Sequence, residues 1–136
     1  RRNEFLDVLG AHRVILLTAH LHKYHVLARK TATGRFVQCS VSSVIHSPNL
    51  SVKDPLQGIE QYGRSLVELE PAFQPETRAL RQKMLDDEKP AITHFEYAEF
   101  PGYAIIQVSD EGVTLKSYQG HSNVGYKTLS LSALLD

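Results

Sequence analysis

Tryptophan is absent, cysteine and methionine occur once each, and neither sign of charge is in excess, with fifteen Lys+Arg against fifteen Asp+Glu in 136 residues. The single Cys39 cannot form an internal disulfide, which excludes a disulfide-stapled secreted scaffold and leaves a location outside the cytosol open. With no net charge there is no strong basic field to draw in a phosphate backbone or an anionic membrane surface, so generic nucleic-acid binding is not expected. No run approaches the roughly eighteen apolar residues of a membrane span. A G-x-S-x-G elbow and a Gly-rich loop ending in Lys-Ser/Thr are both missing, which removes support for serine hydrolysis and for a Walker-type nucleotide site. What is there, 42% apolar and 22% charged residues, is the composition of a folding globular chain of one domain's length.

The order of elements is legible from periodicity. Phe5, Leu6 and Leu9 share one face of a short helix over Arg2 to Gly10, with Gly10 as its stop. Val14-Ile15-Leu16-Leu17 is a continuous aliphatic run, the pattern of a strand covered on both faces. Tyr24 to Thr31 and Phe36 to Val44 are β-prone runs around Ala32-Thr33-Gly34, a hairpin in which Gly34 takes the turn position of positive φ. Residues 46–101 hold the six prolines and read as an irregular helical excursion, with a short helix near Pro55 to Tyr62 and a longer one over Pro75 to Asp87. The longer helix is expected to pack through Ala79, Leu80, Met84 and Leu85. Tyr103 to Val108 and Val113 to Tyr118 flank Asp110-Glu111-Gly112 as a second hairpin, followed by a short strand at Lys127 to Leu131.

The chemistry-bearing segment is His20-Leu21-His22, placed directly after the most aliphatic strand. In extended backbone, residues two apart project to the same side with Cα atoms roughly 6.5 to 7 Å apart, so both imidazoles can converge on one ion or on two neighbouring ions. Ligands gather beyond the carboxyl ends of strands in layered α/β proteins, which favours this position. An H-x-H pair is also a common chance pattern, and the alternative reading is an incidental pair in a non-catalytic β-rich accessory or interaction domain. His25 offers a third ligand for a mononuclear three-histidine zinc site, but at an odd offset from His22 it should face away in a strand and is expected to be a neighbouring surface residue. Cys39 is expected to be a buried inert thiol, and His12, His46 and His121 to be surface or structural residues. His94, Phe95, Tyr97, Phe100 and Tyr103 read as packing of the excursion onto the sheet, with a wall of a substrate cleft or a dimer contact as the alternative.

Helix, aliphatic strand, His20-x-His22 and Lys23-Tyr24 entering the next strand together resemble the last metal-binding motif of the calcineurin-like metallophosphoesterases, which is usually G-H-x-H and is extended by an aromatic residue in purple acid phosphatases. The phrase from Pro101 to Tyr118 resembles that family's paired closing strands. The resemblance covers both ends of the chain and is thin between Ser47 and Phe100. It implies an α/β fold, the C-terminal portion of a four-layer α/β/β/α sandwich that is mostly β with a few helices. It also implies hydrolysis of a phosphoester substrate at two divalent or trivalent metal ions (manganese, iron or zinc), with His20 a ligand to one and His22 to the other. The sequence departs from the family pattern at Ala19, where glycine is usual, and at Leu21, where a small or hydroxylated residue is common. The upstream D-x-H, G-D-x-x-D and G-N-H-E/D motifs of the family do not occur. Two cations about 3.5 to 4 Å apart need bridging anions between them. The expectation is therefore that residues 1–136 are one partial domain, that its partner is the N-terminal remainder of the same catalytic domain with the catalytic residues, and that the isolated chain is inactive and either poorly stable or a homo-oligomer.

Overall fold

A computed structural model describes residues 1–19, 22–44, 55–63, 77–121 and 123–136. The chain is mixed α/β, mostly strands, with two helices and two sheets among the described residues. Helix α1 (Arg2–Ala11) leads into β1 (Ile15–Thr18), then the hairpin β2 (Tyr24–Lys30) and β3 (Arg35–Ser40). A short β4 (Leu56–Gln57), a 3-10 turn at Ile59–Gln61 and helix α2 (Arg78–Glu88) precede β5 (Ile92–Ala98). Strands β6 (Gly102–Ser109), β7 (Gly112–Gln119) and β8 (Gly125–Ser130) form a meander closed by a 3-10 turn at Ser132–Leu135. The larger sheet has the order β1-β3-β2-β5-β4 and the smaller β6-β7-β8.

The faces of the larger sheet follow from the period of two. Tyr24, Val26 and Ala28 of β2, with Val37 and Cys39 of β3, point towards the smaller sheet and form the main core with Phe100, Leu115, Leu131 and Leu135. The opposite face carries Leu27, Phe95 and Tyr97, packed with Tyr62 and Leu85 beneath the helices. Both hairpins pair in the register their turns demand: Lys30 opposes Arg35, and Ser109 opposes Gly112 across Asp110-Glu111. Gly112 stands at φ +128°, a conformation side chains rarely adopt.

Several sequence expectations need correction. The β1 strand is not covered on both faces. It pairs in parallel with β3 alone, at the edge of the sheet among the described residues, and Leu17 is 57% exposed. In α1, Phe5 is exposed while Leu6 and Leu9 are half-buried, because the helix docks on the tip of the β2-β3 hairpin. Ala32 N–H donates to Asp7 Oδ1 at 3.0 Å there. Gly10 is not a stop but a point of close approach: a Cβ on it would lie 2.2 Å from Thr31 Oγ1. Gly34, at φ +156°, faces the same constraint, since its Cβ would lie 2.5 Å from the Gly10 carbonyl oxygen.

The expected helix near Pro55 to Tyr62 is instead β4 and a single 3-10 turn. Pro75 and Glu76 lie outside the described residues, and α2 begins at Arg78 with Thr77 as its cap, its hydroxyl accepting from Leu80 N–H at 3.2 Å. Leu80 and Met84 are about half exposed, so Leu85 carries the apolar contact of α2. The excursion expected over residues 46–101 is not irregular throughout, because β5 is a seven-residue strand between β2 and β4. Among the described residues no helix is long and apolar enough to cross a membrane.

Candidate functional site

Parallel pairing of β1 with β3, from Ile15 opposite Val37 to Thr18 opposite Ser40, brings both carboxyl ends to one edge of the sheet. The antiparallel β2 starts there and β5 ends there, since Tyr24 pairs with Ala98. Thr18 Oγ1 donates to the Cys39 carbonyl at 3.2 Å and so ties the end of β1 to β3. Ala19 follows without positive φ, so this backbone has no need of the glycine usual in the metallophosphoesterase motif. His20 and Leu21 lie outside the described residues. His22 is exposed and takes φ +57°, one of two non-glycine residues at positive φ among the described residues. This residue lies between the end of β1 and the start of β2, which run in opposite directions against β3.

The residue after His22 is held from several sides. Lys23 is 4% exposed, its carbonyl accepts a 2.7 Å hydrogen bond from Ser40 Oγ, and its Nζ lies 3.8 Å from Glu99 Oε1. The same ammonium sits 5.7 Å from the centre of the Tyr97 ring, and Tyr97 donates its hydroxyl to Glu99 Oε1 at 2.6 Å. Burial lowers the Lys23 pKa, partly offset by Glu99. Burial also raises the Tyr97 phenol, reinforced by its hydrogen bond to Glu99.

A second polar cluster lies between the sheets. Glu96, 4% exposed, accepts from Tyr24 at 3.0 Å and from Lys127 Nζ of β8 at 2.6 Å, and His94 Nε2 is 3.0 Å away. Burial would raise the Glu96 pKa, but His94, Lys127 and Tyr24 outweigh it and hold the carboxyl at about 2. It is a carboxylate already satisfied by its neighbours. Sequence reasoning did not single out Glu96, Glu99 or Lys127. The signal for Glu96 was its place between Phe95 and Tyr97: the alternation that buries those rings on one face turns the carboxylate to the other, inside the sandwich.

The remaining candidates are separated from this edge or engaged in packing. His25 is not a surface residue. It packs edge-on to Phe95, with ring centres 5.9 Å apart, and burial lowers its pKa to about 4. Cys39 is buried with its thiol pushed up to about 11. His12 and His121 are exposed, and His46 lies outside the described residues. Phe95 and Tyr97 pack under the helices, Phe100 lies between the sheets against Tyr126, and Tyr103 stacks on Tyr118 with ring centres 4.7 Å apart. Among the described residues no group of three His, Cys, Asp or Glu side chains is arranged to hold a metal ion. Comparison with known proteins returns no family model, no curated protein and no solved structure that matches the chain.

Proposed function

We propose that the chain is the C-terminal portion of a calcineurin-like metallophosphoesterase domain, contributing His20 and His22 as metal ligands for phosphoester hydrolysis. The observation that carries the reading is the placement of the exposed, left-handed His22 at the carboxyl edge of the parallel β1-β3 pair. An accessible imidazole there fits ligation of an ion beyond the strand ends. Two bound ions would polarise the phosphoester and lower the pKa of a water for in-line attack. In this chain the two histidines would hold them, and the turn at His22 would orient its imidazole.

Helices packed on one face of the larger sheet and the smaller sheet on its other face are compatible with the proposed four-layer sandwich. Strands β1 and β6 are edges among the described residues, and they carry exposed Leu17 and Val108. Exposed apolar residues on open edges fit strands that pair with further chain, here the N-terminal remainder, which would also bring the carboxylate ligands. The second reading, a β-rich accessory domain with an incidental H-x-H, is favoured by Glu96 and Glu99 being engaged in protein contacts.

Metal analysis of the longest natural polypeptide and of its His20→Ala/His22→Ala variant separates these readings. Loss of bound manganese, iron or zinc together with loss of phosphomonoesterase and phosphodiesterase activity is expected. Unchanged metal content and activity reject the ligand assignment.

A further inference from the structure

We infer that Lys23, seated between Glu99 and the face of Tyr97, is a positioning residue that holds the His22 backbone in its left-handed turn and so aims the His22 imidazole. This inference rests on the metal-ligand reading of His22. A non-glycine residue at positive φ costs about 1 to 3 kcal/mol and persists only where its surroundings over-determine it. His22 itself is exposed at φ +57°, while Lys23 directly after it is 4% exposed and held by its neighbours.

Lys23 supplies a restraint from both its main chain and its side chain. Its carbonyl is fixed by Ser40 Oγ of β3 at 2.7 Å, and its ammonium by Glu99 at 3.8 Å, just past the end of β5. Glu99 is in turn oriented by the Tyr97 hydroxyl at 2.6 Å. Two strands, β3 and β5, thus converge on the one residue after His22. The side chains of Lys23 and Glu99 are only 5% and 11% exposed. Burying a lysine costs desolvation that a solvent-facing lysine at the start of a strand would avoid, and an ordinary packing position would be filled more cheaply by an apolar residue. What the ion pair adds is a fixed direction for the chain as it leaves His22.

The test uses the longest natural polypeptide and Zn²⁺ alone as the probe. Lys23→Met/Glu99→Gln removes the pair without stranding one buried charge. It is expected to weaken zinc binding about tenfold, as loss of groups that orient metal ligands commonly does. It is also expected to change the His22 amide–Hα coupling that reports φ, while Lys23→Arg restores both. Zinc affinity within twofold of the parent, in a double variant that still melts cooperatively, overturns the inference. Should that variant fail to fold, Tyr97→Phe, which removes one hydroxyl, replaces it: a changed His22 coupling with weaker zinc binding supports the inference, and parental values overturn it. His22→Ala is the control. If it leaves zinc binding unchanged, the metal reading falls and this inference with it. If it weakens zinc binding while the Lys23 and Glu99 changes do not, this inference alone falls.

Discussion

Replacing Glu96 with Gln should destabilise the protein at neutral pH and make its stability less sensitive to acid. In the folded chain the carboxyl is held at about 2, against an ordinary 4.5, because contacts from His94, Lys127 and Tyr24 outweigh its burial. That interval corresponds to about 3 kcal/mol, at about 1.4 kcal/mol per pH unit. The side chains of Lys127 and His94 remain 28% and 25% exposed, so solvent screening reduces the expected contribution to about 2 kcal/mol. The folded-state pKa lies below the unfolded one. The stabilisation is therefore fully present above about pH 4.5 and is lost as pH falls from there towards 2. Gln keeps the shape and an acceptor for the Tyr24 hydroxyl but removes the charge facing Lys127. Urea unfolding of parent and variant between pH 7 and pH 3 measures the gap directly. It should be about 2 kcal/mol at pH 7 and shrink below about 1 kcal/mol at pH 3. A gap that stays constant across this range, or a variant as stable as the parent at pH 7, refutes the reasoning.

Burial lowers His25 to about 4, so its imidazole should titrate near there by NMR and not near 6.5. The stability gained by keeping it neutral is present above 6.5 and lost as pH falls towards 4, and a midpoint above 6 would contradict the burial. Gly10→Ala should cost about 1 to 3 kcal/mol in thermal or urea melts, since the added Cβ meets Thr31 and the backbone of Gly34; an unchanged melting temperature would show that the hairpin tip yields freely. Cys39, with its thiol raised to about 11, should resist a thiol-reactive disulfide reagent in the native protein and react on unfolding, and rapid native labelling would count against its placement.

The local elements were legible in the sequence by itself. Alternation in Tyr24–Lys30 and Gly102–Ser109, and the turn chemistry of Asp110-Glu111-Gly112, set the hairpins, because strand period and turn conformation are short-range properties. The burial of Cys39 followed from its small apolar character in a strand, and the position of the H-x-H segment after β1 from the aliphatic run before it. Tertiary structure decided what depends on partners distant in the chain. Whether Gly10 ends a helix or admits a hairpin tip is settled by Thr31, twenty-one positions on. Whether Leu17 is covered is settled by the place of β1 at the edge of its sheet. Glu96 and Glu99 lie three residues apart on one segment, yet one meets Tyr24 and Lys127 between the sheets while the other meets Lys23 beside His22. Sequence spacing assigns such residues to faces. Only the packing of one strand against another brings the charges together, and the electrostatics that shift their pKa values act over that assembled distance.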